Sequence, residues 1–155
     1  MAQLEVGDRA PAFALLDQQG RRVRLSAFKG STVVVYFYPK ADTPGCTTQS
    51  CALRDAEPDL TALGAVVVGI SPDPVDRLAR FDEKYSLGFT LLADEDHAVA
   101  EAWGAWGEKT LYGRKYLGVI RSAFVVDAKG RVAGAFPKVS PKDTVPKVRR
   151  VLEGL

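Results

Sequence analysis

Histidine, cysteine and methionine are scarce in this 155-residue chain, which holds one His, two Cys and one Met. One imidazole and two thiols cannot fill the tetrahedral Cys/His set of a structural zinc site, although a carboxylate-rich metal site is left open by counting. Two thiols are also too few for a disulfide scaffold. An excess of one charge is lacking as well: 21 Lys and Arg face 19 Asp and Glu, a formal +2. Without a broad basic field, nucleic-acid binding has no electrostatic motive. No run approaches the ~18 uninterrupted apolar residues of a membrane span. Glu5, Asp8 and Arg9 interrupt the first apolar stretch, so a signal-peptide core is not expected. The expected compartment is the cytoplasm, where disulfides are more often transient than structural. Internal repeats, low-complexity tracts and linkers are absent. What is present is an ordinary globular composition, 46% hydrophobic and 26% charged. The length suits a single domain over residues 1–155, able to bury about two-thirds of its unfolded surface without staples. The question is what two thiols are doing in it.

The strongest pattern is Thr32 to Tyr38, TVVVYFY, a β-branched and aromatic run without polar alternation, as in a strand covered on both faces. Ala65 to Ile70, AVVVGI, repeats it. Between them, Thr43 to Leu63 predicts a helix, bent or restarted near Glu57-Pro58 because proline disrupts a helix interior. Strand, helix, strand makes a βαβ unit with a right-handed crossover and parallel strands. A second helix is predicted to about Tyr85, with Val75, Leu78, Phe81 and Tyr85 at helical spacing. Phe89 to Leu92 reads as a short strand and His97 to Trp103 as a short helix. Gly104 to Gly118 holds four glycines and no clear period, which predicts a loop or insertion. Ser122 to Val126 and Val132 to Phe136 read as a hairpin joined by Asp127-Ala128-Lys129-Gly130. Ser140-Pro141 predicts the start of a last helix to about Glu153. The order is that of an α/β, thioredoxin-like fold: a central mixed sheet flanked by helices, with an N-terminal extension (Arg21 to Leu25 being one candidate strand) and an insertion before the C-terminal hairpin. Other α/β arrangements remain compatible with the pattern.

Cys46 follows the carboxyl end of the first buried strand, the edge at which open α/β sheets place their sites. Thr43-Pro44 carries a helix-start signature, threonine suiting the N-cap and proline the first helical position. Cys46 then falls in the first turn, where free N–H groups and the helix dipole favour a thiolate, the nucleophilic form. A buried, inert cysteine that begins a helix would leave the same local signature. Cys51 lies five residues on. On a regular helix that spacing sets the Cα atoms roughly 8.5–9 Å apart, beyond the ~7 Å a disulfide tolerates. Two unrelated thiols would satisfy this, and so would a switch that is helical when reduced and unwound when oxidised. Arg121 opens the strand SAFVVD, which in this topology runs antiparallel to the strand before Cys46. Its guanidinium would then lie beside the thiol, where it can stabilise a thiolate and bind an oxygen-bearing substrate. A solvated strand-end arginine is the commoner case.

The segment Pro39-x-x-x-Thr43-x-x-Cys46 resembles the active-site motif of the peroxiredoxins. The Cys46–Cys51 spacing is similar to that of their Q-type, or bacterioferritin-comigratory-protein, subfamily. The likeness continues in Gly7-Asp8-Arg9-Ala10-Pro11-Ala12-Phe13, Gly69-Ile70-Ser71, Trp106-Gly107-Glu108-Lys109 and Arg121-Ser122-Ala123-Phe124-Val125-Val126-Asp127. The resemblance implies a thiol-dependent peroxidase of hydrogen peroxide and organic hydroperoxides, using no metal or prosthetic group. It makes Cys46 the peroxidatic nucleophile, Cys51 the resolving cysteine, Arg121 the active-site arginine, Thr43 the residue that orients peroxide, and Pro39 a shield against water. Gln49 stands where subfamily members carry Glu or Gln. The implied reductant is thioredoxin or a similar dithiol. Nucleic acid and membrane are not expected partners; a monomer is expected, with a weak dimer compatible.

Two other functions compete. A general thiol–disulfide oxidoreductase would be expected to carry Cys-x-x-Cys, whereas four residues separate these cysteines. A redox sensor would need a partner surface, for which no motif stands out. Among the remaining residues, His97 suits a surface or capping role, Trp103 and Trp106 suit packing, and Ser71-Pro72-Asp73-Pro74 reads as a turn. Lys142, Lys147, Arg149 and Arg150 read as a solvated face.

Overall fold

The computed structural model describes residues 4–155. Its centre is a seven-stranded sheet. The valine-rich run Thr32–Phe37 forms β3, preceded by β1 (Ala14–Asp17) and β2 (Arg22–Arg24). After β3 the chain makes α1 (Pro44–Ala62), β4 (Ala65–Ser71), α2 (Val75–Tyr85) and β5 (Thr90–Ala93). Then come α3 (Ala98–Ala102), β6 (Trp106–Leu111), β7 (Arg114–Val119), β8 (Ser122–Val126), β9 (Val132–Phe136) and α4 (Thr144–Glu153). The strand order is β2-β1-β5-β4-β3-β8-β9, with β6 and β7 paired apart. β3, β4 and β5 are parallel, while β8 runs antiparallel to β3. The result is a mixed, thioredoxin-like sheet.

The uninterrupted apolar run of β3 is explained by burial on both faces, and its period of two divides the core. Val34 and Tyr36, with Tyr38 beyond them, face Leu53 and Leu60 of α1, Leu78 and Phe81 of α2, and Val148 and Leu152 of α4. Val33, Val35 and Phe37 face Phe13, Val99, Trp103 and Phe124. Leu53 and Leu60 are fully buried, and each such side chain contributes about 1.5–3 kcal/mol relative to exposure. Gly69 of β4 pairs with Tyr36, and a Cβ there would lie 2.8 Å from the tyrosine ring. The ring occupies the space that the glycine leaves. No helix among the described residues is long and apolar enough to cross a membrane.

Three expectations need correction. The stretch Gly104–Gly118, expected as a loop or insertion, is an insertion with regular structure: it carries the two-stranded ribbon β6–β7, closed by Tyr112 and Gly113, both at positive φ. Most of the ribbon is exposed or half-buried, so no apolar face marks its period, and Gly107 and Gly118 sit opposite each other. α1 runs unbroken through Pro58, which lies on its exposed side in the penultimate turn. There the missing N–H removes one helix bond without buried consequence. α4 starts at Thr144 rather than at Pro141; residues 140–143 form a preceding turn in which Ser140 accepts the Asp143 N–H. β1 had no counterpart in the sequence reading, and Arg21 to Leu25 is realised as β2, Arg22–Arg24.

Candidate active site

The loop that leaves β3 is held from two sides before α1 begins. Pro39, half-buried, opens it. Ala41 is buried and its N–H donates to Asp73 Oδ2 at 2.7 Å. The same carboxylate oxygen accepts the Ser71 hydroxyl at 2.7 Å, and Arg77 lies 3.3 Å from Oδ1. The segment read as a turn thus anchors the loop through a buried carboxylate. A Ser-x-Asp after a strand end was the available signal, since such residues bond nearby backbone. Asp42, at φ +61°, accepts Tyr85 OH at 2.6 Å and Lys84 Nζ at 2.9 Å from the end of α2. These two donors, the tyrosine hydroxyl foremost, hold the Asp42 carboxyl below the usual carboxylate range.

Thr43 takes the N-cap position in extended conformation, with Pro44 at the first helical position. Its side chain does not cap. The hydroxyl donates to the Lys40 carbonyl at 2.7 Å, and among the described residues no side chain accepts from the first-turn N–H groups. With its proton committed, the Thr43 oxygen faces any further partner as an acceptor.

Cys46 is buried in that first turn. Arg121, which immediately precedes β8, donates from Nη2 to Cys46 Sγ at 3.3 Å and from Nη1 to Gln49 Oε1 at 2.7 Å. The antiparallel register that pairs Phe37 with Ser122 brings it there. The strand-end arginine is therefore a thiol ligand. Gly45 makes room for it: a Cβ there would stand 3.1 Å from Arg121 Nη2. Gln49, fully buried, donates from Nε2 to Thr144 Oγ1 at 2.9 Å. Ser50, also buried, shares a 2.7 Å hydrogen bond with Tyr36 OH. Burial raises the Tyr36 and Tyr38 hydroxyls well above the usual tyrosine range, so both remain neutral phenols. Lys109 of β6 donates to the Val119 carbonyl at 2.9 Å. Its ammonium is pushed below the usual lysine range by burial and then by the Arg121 charge, with the Cys46 sulfur acting in the opposite sense. The base of the ribbon therefore reaches the electrostatic field of the thiol.

Cys51 is half-buried on the same unbroken helix, packed against the cluster around Tyr36, and both thiols are free. An intact helix keeps their Cα atoms roughly 8.5–9 Å apart. Of the expected residues, Cys46 and Arg121 are in contact and Thr43 stands at the head of their helix, while Cys51 is held away. His97 and the tryptophans lie elsewhere. His97 Nδ1 donates to Glu101 at 3.0 Å and its ring stacks on Trp106 at 3.7 Å between centroids. The cap of α3 is Asp94, whose carboxylate accepts the Val99 and Ala100 N–H groups. Trp103 is buried in the face of the core opposite α1. Gln49 stands out by position in the sequence and Asp73 by its Ser-x-Asp context, whereas the parts played by Ser50 and Thr144 carry no local signal.

Residues 6–135 match the AhpC/TSA family. A putative peroxiredoxin bcp of Haemophilus influenzae is 54% identical over 143 residues, covering 92% of each chain. Peroxiredoxin Bcp of Escherichia coli K12 is 52% identical over 136 residues, covering 88% of this chain and 87% of the relative. Among solved structures, the peroxidoxin BcpB of Mycobacterium tuberculosis superposes with a TM-score of 0.88 at 34% identity, covering 99% of both chains. A Xanthomonas campestris peroxiredoxin Q structure gives 0.88 at 33% identity, covering 97% of this chain and 96% of the other. The chain belongs to the AhpC/TSA family and, within it, to the Bcp or Q-type peroxiredoxins, the thiol-dependent peroxidases to which its first-turn cysteine pointed.

Proposed function

We propose that Cys46 is the peroxidatic thiol of this peroxidase, Arg121 its electrostatic partner, and Cys51 the thiol that resolves the oxidised form. The observation that carries the reading is the 3.3 Å contact from Arg121 Nη2 to Cys46 Sγ in a helix's first turn. The Cys46 thiolate attacks the terminal oxygen of a hydroperoxide in line with the O–O bond. An S–O bond forms, the O–O bond breaks, and the leaving oxygen departs as water or an alcohol after taking a proton. Cys46 becomes a sulfenic acid, oxidised by two electrons. Negative charge grows on the leaving oxygen, and preorganised donors at such a position are worth about 2.7–4 kcal/mol each in other enzymes. Arg121 and the uncapped first-turn N–H groups supply such donors. Thr43, able only to accept, takes the peroxide O–H and so orients the O–O bond, and Pro39 shields the sulfur from water.

Cys51 then attacks the sulfenic sulfur, expels water and forms the Cys46–Cys51 disulfide, which protects Cys46 from over-oxidation. Closing that bond requires α1 to unwind between the two positions. A thioredoxin-like dithiol takes the oxidation by exchange, restoring both thiols as its own disulfide forms. Substrates are hydrogen peroxide and organic hydroperoxides, and the protein acts as a cytoplasmic monomer.

Mixing reduced protein with hydrogen peroxide tests the assignment. Wild type and Cys51→Ser are expected to consume about one equivalent in a rapid first turnover, and Cys46→Ser none. Sustained turnover with a thioredoxin system is expected of wild type alone. Undiminished peroxide consumption by Cys46→Ser would overturn the assignment.

A further inference from the structure

The Gln49 amide joins the thiol site to the start of α4, and the direction of its hydrogen bonds is fixed at both ends, since Arg121 can only donate and Thr144 has only lone pairs left to offer. Thr144 has one hydroxyl proton, which it donates to the Ser140 carbonyl at 2.9 Å. Toward Gln49 its oxygen therefore offers lone pairs, and it accepts from Gln49 Nε2 at 2.9 Å. That choice turns Oε1 toward Arg121, whose Nη1 donates to it at 2.7 Å. The reversed amide would set an NH₂ against the guanidinium and a carbonyl oxygen against lone pairs. Gln49 and Thr144 are both fully buried, so water cannot stand in for either partner. The segment ahead of α4 also bonds the Arg121 backbone and lies beside the glycine its side chain packs on. The Val139 N–H donates to the Arg121 carbonyl at 3.0 Å. The Pro141 ring and Arg121 Nη2 lie 3.6 and 3.1 Å from where a Cβ on Gly45 would stand, which puts both against the same glycine.

We propose that Thr144 is a positioning residue for peroxide reduction: its hydroxyl oxygen, its proton committed to the Ser140 carbonyl, anchors the NH₂ end of the Gln49 amide and thereby holds Oε1 and the Arg121 guanidinium against the Cys46 sulfur. This rests on the assignment of Cys46 and Arg121 as the reacting pair. The fourth helix then acts on the chemistry without touching substrate. A guanidinium released from Gln49 loses one of its two side-chain partners, and the aim at the leaving oxygen loosens.

The test uses the full-length chain in the Cys51→Ser background, where Cys46 is the single thiol. Two rate constants are measured, oxidation of Cys46 by hydrogen peroxide and its alkylation by iodoacetamide. Both scale with the thiolate fraction, so their ratio isolates assistance to the departing oxygen. Thr144→Val, which keeps the shape and loses the hydroxyl, is expected to lower the ratio about tenfold. Thr144→Ser, which keeps the hydroxyl, is expected to stay within about twofold of the parent. If the valine variant does not fold, Thr144→Ala takes its place with the same expectation. An unchanged ratio in the hydroxyl-less variant, or an equal fall in Thr144→Ser, overturns the proposal while leaving the peroxidase assignment intact. Failure of that assignment shows separately, as peroxide reactivity that survives Cys46→Ser.

Discussion

Gly45 shows how closely the thiol site is fitted at the level of single atoms. It stands between Pro44 and Cys46, and its missing side chain is the space into which Arg121 Nη2 reaches. Glycine is otherwise a poor choice there, since alanine favours a helix by up to about 1 kcal/mol. Gly45→Ala is therefore expected to act in opposite directions on stability and rate. The urea midpoint should be unchanged or raised, because the backbone conformation is compatible and the contact falls on a side chain that can shift. The rate constant of Cys46 with hydrogen peroxide should fall about tenfold, because that shift carries the guanidinium off the sulfur. Stopped-flow oxidation beside urea denaturation separates the two effects.

At the level of elements, the site depends on how the loop after β3 is tied to its neighbours. Asp42 links that loop to the last turn of α2, and its carboxyl is held below the ordinary range by Tyr85 and then Lys84. A carboxyl whose folded value lies below its unfolded one stabilises at pH above the unfolded value, about 4. That contribution is lost as pH falls through the folded value. Asp42→Asn tests the link cleanly, since asparagine also accepts the positive φ of this position. Wild type should exceed the variant in urea midpoint by a constant amount from pH 8 to about 5, and the gap should close progressively below about 4. A gap independent of pH would show that the charge is not what ties the loop.

For the whole molecule, α1 belongs at once to the core and to the chemistry. Leu53 and Leu60 bury it against β3 and β4, while Gln49 and Ser50, between the two cysteines, tie it to Arg121, Thr144 and Tyr36. The proposed Cys46–Cys51 disulfide would break those polar ties while the later turns keep their apolar anchors. Native-state amide exchange of the reduced and oxidised protein is expected to show lost protection confined to residues 44–52, with Leu53 to Ala62 retaining theirs. Equal protection of residues 44–52 in both states would contradict the unwinding. Much of this frame was legible in the sequence. The doubly covered β3 and β4 show as continuous apolar runs, α2 as an apolar period, α1 by its Thr-Pro start, and the β8–β9 hairpin by its short glycine-ended turn. The ribbon β6–β7 and the strand β1 did not show, because their faces are exposed or half-buried and a short strand of mixed burial has no period to read.

The sequence by itself determined where the two thiols stand: a cysteine after a buried strand, behind Thr-Pro, falls in a helix's first turn, and a second cysteine five residues on cannot reach it while that helix stands. Those are local facts, fixed by backbone geometry over a few residues. The tertiary structure alone decided which hydrogen bonds are made around the sulfur. Arg121 lies 75 residues from Cys46 along the chain, and Thr144 lies 95 from Gln49. Their hydrogen bonds depend on which strands pair and where α4 docks. The strand order is enough to bring Arg121 to the thiol's end of the sheet, but side-chain hydrogen bonds act over about 3 Å, so its bond to Gln49 and the bond from Gln49 to Thr144 are settled only when the sheet closes and α4 docks.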